Sequence, residues 1–523
     1  MDTEPHRTAT RAAGLLMVTI TASRILGFIR ETTVANIFGT SYVTDAFYAA
    51  FTIPDLMYYL LIGGALSSGF IPVFTSYLAN NREKEGWEVA SIFISVVLCL
   101  LVVVTILGII FAPYLVPLVA YKFRGETLAL TIRLTRIMFS AVMMTAIAGL
   151  ESGILNSYQE FTASAFGPIV YNIGIILGAV MLGTRFGVYG LAVGVVAGAF
   201  GNVLTQFFST IRHAKGFFKF NLDVHNEGFK QIIALVIPAL IGLSISQINL
   251  VVNQNIASGL AEGSITALRY ANRLFQLPLG IFAMAISTAF FPSMTRQASI
   301  ADYKSFKSTL SLGLRSIFFI TIPSGVGLIV LSKPIVRLLF KSGSFTESDV
   351  AATAFALGFY SLGLFAHSAI QVITRGYYSI KDTRTPVIIG AMAVAFNVIL
   401  NLIFVRYSNL ALGGIAFSFS LSGILNMVVL LYILNKRLNG IETGRILMTI
   451  IKSTVSSLVM GAAAYYSYVY LSSIFGIESK LNQLIHTGGS IIIGVIVFAA
   501  MAYILRMDEL NVVLDIIKRR IKK

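Results

Sequence analysis

Ala65-Leu66-Ser67-Ser68-Gly69-Phe70-Ile71-Pro72 returns, 220 positions downstream, as Ala285-Ile286-Ser287-Thr288-Ala289-Phe290-Phe291-Pro292. The echo continues on both sides. Thr44, Tyr48 and Ala49 pair with Thr266, Tyr270 and Ala271, and Gly190, Ala192 and Asn202 pair with Gly414, Ala416 and Asn426. A drift of a few residues over two hundred is what loop insertions leave in a duplicated chain. Both copies of the motif lie in long apolar stretches, so the duplicated unit is a bundle of membrane-spanning helices. Such a bundle, with polar residues inside it, is the usual build of a secondary transporter, whose substrate site lies between the repeats.

Composition agrees with this reading. Of 523 residues, 56% are hydrophobic and 12% charged, and the mean hydropathy is +0.82. No water-exposed surface of a soluble globular protein would carry that. About fourteen apolar stretches are long enough to cross some 30 Å of hydrocarbon. The expected fold is an all-α polytopic membrane protein of two six-helix lobes, related by a pseudo-twofold axis along the membrane normal, plus two further helices at the carboxyl end. The lobes are residues 1–212 and 231–436, joined by a basic cytoplasmic linker, 213–230. Residues 437–505 hold the two unrepeated spans. Residues 506–523 set Leu510, Val513, Leu514, Ile517 and Ile521 at helical spacing beside Lys518, Arg519 and Arg520, as in a helix lying on a membrane surface. Most of the 39 Lys and Arg fall in loops on the amino-terminal side, which places both termini in the cytoplasm. The net charge of +16 is then mainly a matter of topology, and no nucleic-acid partner is expected.

Charges inside the spans carry the functional reading. The first span contains Ser23, Arg24, Arg30 and Glu31, the second begins with Asp45, and the eighth holds Arg269 and Arg273. A charged side chain at mid-span costs about 2.5–3.5 kcal/mol on insertion scales, so such residues face a bundle interior or a wet cavity. Arg269 and Arg273 are four apart and stack on one helix face. An anion would relieve their repulsion, and the planar guanidinium suits phosphate oxygens. Arg24, Arg30 and Arg273 could thus converge on an anion from different lobes, or Arg24 and Arg30 could pair with Glu31 or Asp45 as internal struts. Pro54, Pro72, Pro278 and Pro292 interrupt the second and eighth spans at corresponding places, and broken helices of this kind point to a binding site. Asn253, Asn397 and Asn401 are weak candidates for a monovalent cation, with no carboxylate beside them. The five histidines show no metal spacing, and no HExxH, phosphate loop or nucleophile elbow is present. The chain reads as a transporter, not an enzyme.

Four motifs resemble one family. Ser23-Arg24-x-Leu26-Gly27-x-x-Arg30-Glu31, Thr44-Asp45-Ala46-Phe47, Tyr270-Ala271-Asn272-Arg273-Leu274 and Gly376-Tyr377-Tyr378-Ser379-x-Lys381-Asp382-x-x-Thr385-Pro386 are similar to the MurJ/MviN lipid II flippases, within the multidrug/oligosaccharidyl-lipid/polysaccharide exporter superfamily. The resemblance implies a bacterial inner-membrane protein that carries lipid II, the undecaprenyl-pyrophosphate-linked peptidoglycan precursor, to the outer leaflet by alternating access. It implies that Arg24, Arg30 and Arg273 bind the pyrophosphate, with Asp45, Glu31 and Ser23 beside them, and that the last two spans form a groove for the lipid tail. The family pattern is broken at Tyr58-Tyr59, where some relatives carry an arginine pair, and at Asn272 and Gln276, where relatives carry acidic residues; these positions and Arg269 form an outer set of candidates. The partners implied are lipid II and membrane lipids, with a monomer as the expectation. No cofactor is expected, and coupling to the membrane potential or to a monovalent cation is open. A flippase for another polyprenyl-linked oligosaccharide and a cation-coupled drug exporter of the same superfamily are the alternatives.

Overall fold

In a computed structural model of the chain, residues 4–64, 66–476 and 479–510 are described, side chains excepted at 4–17, 58, 61–63, 241–243 and 245–246. The basic stretch 511–523 expected to lie on the membrane surface falls outside them. Among the described residues the regular structure is entirely helical. The helices are α1 (Glu4–Phe38), α2 (Tyr42–Tyr58), α3 (Ile71–Ala79), α4 (Glu83–Val119), α5 (Gly125–Ser157), α6 (Phe161–Leu177), α7 (Gly183–Phe186), α8 (Val188–Ala214), α9 (Glu227–Ala257), α10 (Ser264–Pro278), α11 (Met284–Ser299), α12 (Tyr303–Val330), α13 (Ser332–Phe340), α14 (Glu347–Ser361), α15 (Leu364–Ser379), α16 (Arg384–Tyr407), α17 (Leu412–Arg437), α18 (Thr443–Phe475) and α19 (Lys480–Ile504). Ten stretches among the described residues are long and apolar enough to cross a membrane, and α14 with α15, bent by 44°, make an eleventh. Helix α1 (35 residues), α9 (31 residues) and the interrupted run α2–α3 are also long enough, at about 1.5 Å per residue. With these three the count reaches the expected fourteen.

The interruptions fall where the repeat and its prolines put them. In the first copy, π-helical turns at Tyr59–Gly64 and Leu66–Phe70 separate α2 from α3, with Pro54 one turn ahead and Pro72 directly after. In the second copy a π-helical turn at Leu279–Ala283 follows Pro278 and joins α10 to α11. Proline has no N–H to give the preceding turn, and the ladder adjusts by widening locally. The widened turns at Tyr59–Gly64 and Leu279–Ala283 are thus 220 residues apart and stand just ahead of the shared motif in each copy.

The chain forms two compact units. The first comprises Met1–Thr266 and Ser342–Phe345, the second Ala267–Lys341 and Thr346–Lys523. Residues of α9, which the repeat assigns to the second lobe, pack in the first unit: Phe229, Ile232 and Val236 join the core of Phe70, Phe74, Trp87 and Phe93. Elsewhere in this unit glycines set the packing. A Cβ at Gly174 would collide with the Gly198 backbone, and one at Gly178 with the Gly194 backbone. Glycines four apart, on α8 and on α6 with the π-helical turn Gly178–Leu182 that follows it, thus let two backbones touch, which is how helices associate where lipid supplies no hydrophobic drive.

In the second unit Leu310, Leu314 and Ile317 of α12, Val372 and Tyr377 of α15 and Leu434 of α17 form the core. The Tyr377 hydroxyl donates to the Leu430 carbonyl at 2.8 Å. The motif Lys381-Asp382-x-x-Thr385 starts α16: Asp382 accepts from the Arg384 and Thr385 N–H groups (3.0 Å each) and from the Thr385 hydroxyl (2.6 Å), and pairs with Arg437 at the end of α17. Burial alone would raise this carboxyl. The Thr385 bonds and Arg437 outweigh it and hold it at about 2.

Candidate functional site

The arginines of α1 have different surroundings. Arg24 is exposed and Ser23 half-buried, and both line a cleft of about 570 Å³ in the first unit. The other wall mixes polar groups, Ser152 and Asn156 of α5 and Ser164 of α6, with apolar Phe161, Ala165 and Pro168. Behind it, the Ser152 hydroxyl donates to Gln206 Oε1 (2.6 Å) and Gln206 Nε2 donates to Asn202 Oδ1 (2.9 Å), so the wall is fixed by a chain of bonds running into α8. A cation facing hydroxyl and amide groups, with no carboxylate on the lining, can take an anion without first breaking an ion pair.

Arg30, six residues on, is half-buried, and its Nη2 lies 2.5 Å from Glu31 Oε1. Glu31 is buried, and its second oxygen accepts from the Tyr48 hydroxyl at 2.7 Å. This is the strut arrangement, and it compensates the Arg30 charge within the protein. Asp45 is buried and serves the backbone: its Oδ2 accepts from the Gly263 N–H (2.8 Å), and its Oδ1 from the Thr266 N–H (2.9 Å) and hydroxyl (2.6 Å). A carboxylate with three donors on it holds the turn that opens α10.

In the second unit Arg269 and Arg273 of α10 are half-buried, and each has interactions inside the protein. Asn272 accepts from exposed Gln276 at 3.2 Å, an i, i+4 amide pair. The Tyr58 side chain lies outside the description. Asn397 and Asn401 of α16 are buried and bonded to each other at 3.3 Å, and Asn253 of α9 is half-buried in the first unit. Among the described residues no group of three or more His, Cys, Asp or Glu is placed to hold a metal.

The two unrepeated spans, α18 and α19, pack on each other and on α12. Together with the π-helical turn after α10 they line an apolar groove of about 470 Å³, whose walls include Phe282, Phe319, Pro323, Met460, Ala464 and Phe498. At the groove's end Met507 joins Phe319, Met460 and Phe498, and Glu509 is buried against Arg315 (2.8 Å) and Thr449 (2.9 Å). Sequence reading missed Tyr48 as the partner of Glu31, and Ser152, Asn156 and Ser164 in the cleft that Arg24 lines. Scattered serines and an asparagine in apolar helices carry no signal that distinguishes a cleft from helix packing.

Comparison with known proteins covers nearly the whole chain. The family described as "Lipid II flippase MurJ" matches residues 34–485. A "Probable lipid II flippase MurJ" of Vibrio cholerae is 34% identical over 80% of this chain and 81% of its own length, and a "Lipid II flippase MurJ" of Burkholderia cenocepacia is 31% identical over 79% and 81%. Among solved structures, "Lipid II flippase MurJ, inward closed conformation" is similar with a TM-score of 0.78, 29% identity and coverage of 94% of this chain and 99% of that one. An inward-facing multidrug MATE transporter shares the fold alone, at a TM-score of 0.67 and 15% identity. With a family match over most of its length and curated relatives above 30% identity, this multi-pass membrane protein belongs to the MurJ family of lipid II flippases, and is a transporter.

Proposed function

We propose that this protein carries lipid II from the cytoplasmic to the outer leaflet of the bacterial inner membrane by alternating access, with both termini in the cytoplasm. The observation that carries the reading, beyond family membership, is the contrast within α1: Arg30 is paired with Glu31, whereas Arg24 is exposed on a cleft whose lining holds Ser152, Asn156 and Ser164 and no carboxylate. A pyrophosphate bearing a sugar-peptide cannot cross hydrocarbon unaided, because each unpaired charge in the core costs several kcal/mol. Arg24 supplies the cation and the Ser152, Asn156 and Ser164 wall supplies neutral hydrogen-bonding groups. Arg273 is the corresponding cation of the second unit. The groove of α12, α18 and α19 has an apolar lining suited to an apolar chain, and we assign it to the polyprenyl tail. Membrane potential, negative inside, favours outward movement of a net anionic complex by about 2.3 kcal/mol per charge per 100 mV, and serves as the coupling force.

The test is transport of fluorescent lipid II in vesicles containing purified protein. Arg24→Ala is expected to abolish transport and Arg24→Lys to retain part of it, with both variants as thermally stable as the parent. Normal transport by stable Arg24→Ala protein would remove the role.

A further inference from the structure

The segment between α8 and α9 reads as a polar, solvated linker, but its geometry is otherwise. Phe217 stacks on Trp87 with ring centroids 6.3 Å apart and planes 11° apart. Two residues later the Lys219 N–H donates to Ser91 Oγ, and two after that the Asn221 N–H donates to Ser95 Oγ, each at 3.2 Å. Trp87, Ser91 and Ser95 are successive i, i+4 positions on one face of α4. Two extended residues advance about 6.6 Å and one turn of four helical residues about 6 Å, so every second residue of the segment meets the next turn of the helix. The segment is a strap held in register along α4.

The alternation leaves the other edge apolar. Phe218, Phe220, Leu222 and Val224 are 40%, 64%, 48% and 45% exposed. Their place relative to α4 and the state of the backbone name what covers them. The last charged residue before the apolar run of α4 is Glu88, and Ser91 and Ser95 lie roughly 4 and 10 Å beyond it along the helix. Eight of the ten N–H groups from Phe217 to Asn226 donate inside the protein: to Ala214 (two), Leu222 and Asp223 carbonyls, to Ser91 and Ser95, and to the Asn221 and Asp223 side chains. The other two, of Phe220 and Leu222, set the depth of the edge at the headgroup boundary, where polar groups stay within reach while the side chains meet the acyl chains. The adjoining last turns of α8 expose Phe207, Phe208 and Ile211, so the apolar edge continues a lipid-facing helix surface. Arg212, Lys215 and Lys219 on the same stretch, against Asp223, suit anionic headgroups.

We propose that residues 217–224 are a membrane-embedded strap, pinned to α4 through Trp87, Ser91 and Ser95, whose Phe218, Phe220, Leu222 and Val224 edge lies among the phospholipids of the leaflet next to it. The strap fixes the path from α8 to α9 on the lipid side.

Trp87 is the only tryptophan, which makes the test direct. The full chain carrying Trp87→Phe and Phe220→Trp is reconstituted in phosphatidylcholine–phosphatidylglycerol vesicles, with and without phospholipid brominated high on the acyl chain. Blue-shifted emission that loses most of its intensity to brominated lipid and little to aqueous iodide is expected. Quenching by iodide and not by the lipid overturns the proposal, as does protection from both, which would mean protein covers the edge. Adding Ser91→Ala and Ser95→Ala is expected to shift the emission red and admit iodide; unchanged emission would overturn the pinning. Should Trp87→Phe fail to fold, Cys99→Ser with Phe220→Cys, labelled with a polarity-sensitive dye, gives the same readouts with Trp87 in place.

Discussion

Asp45 offers a sharp test, because its motif points to substrate while its geometry points to the chain itself. Replacing it by alanine leaves the Gly263 N–H, the Thr266 N–H and the Thr266 hydroxyl without their acceptor, all in a buried turn. An orphaned buried donor costs about 1–3 kcal/mol, so three give roughly 3–9 kcal/mol. The vacated carboxylate volume admits a water that recovers part of this, which leaves about 3–5 kcal/mol. Asp45→Asn keeps one acceptor oxygen but turns an NH₂ toward an N–H, and should cost about 1–3 kcal/mol. Thr266→Val, which removes a single donor, should cost about 1 kcal/mol. The assay is the thermal midpoint of purified protein in detergent. At about 2–4 °C per kcal/mol, Asp45→Ala should fall by roughly 10 °C, with Asn and then Thr266→Val following in order. An Asp45→Ala protein with an unchanged midpoint and lost transport would refute the reasoning and return Asp45 to the substrate.

Arg30→Gln removes the cation 2.5 Å from buried Glu31 and should lower the thermal midpoint, whereas Arg24→Gln should leave it unchanged; equal effects would contradict the contrast drawn between them. Gly194→Val places a branched side chain against the Gly178 backbone and should cost about 3 kcal/mol or prevent folding, read from the yield of monodisperse protein. Asp382, held at about 2, keeps its contribution in full above the ordinary carboxyl value of 3.8 and loses it only as pH falls through about 2; stability of Asp382→Asn relative to the parent should therefore be flat from pH 7 to pH 5, and a parent advantage that fades over that range would be inconsistent. Ala464→Trp fills the groove between α12, α18 and α19 and should reduce transport of a full-length polyprenyl substrate more than of a short-chain analogue; equal loss for both would detach the groove from the tail.

The chain shows its architecture openly because a membrane allows few solutions. Long apolar runs must be helices, and prolines in repeat-related spans disturb them in the same region. Hence the interruptions in the second and eighth spans could be anticipated. Side-chain roles were harder to read, since a charge inside a span is equally suited to a ligand or to a strut. Nothing in Arg24 and Arg30 as letters separates them; the difference is that Glu31, itself bonded by Tyr48, lies on Arg30, while no carboxylate lines Arg24's cleft. Asp45 is as hard to read, its three donors lying about 220 residues away. The strap was hidden by composition: Lys215, Lys219, Asp223 and His225 make the linker look solvated, while the alternation of Phe218, Phe220, Leu222 and Val224 takes meaning only beside Trp87, Ser91 and Ser95.

The central claim is that this protein flips lipid II. It is tested most directly in bacteria depleted of their own lipid II flippase and expressing this chain, by measuring the fraction of lipid II cleaved by an enzyme added outside the inner membrane. The account predicts that the cleaved fraction returns to the level of undepleted cells with the parent chain and not with Arg24→Ala. Lipid II that stays inaccessible while the parent protein is folded in the membrane would contradict it, and would turn attention to another polyprenyl-linked glycan as the substrate.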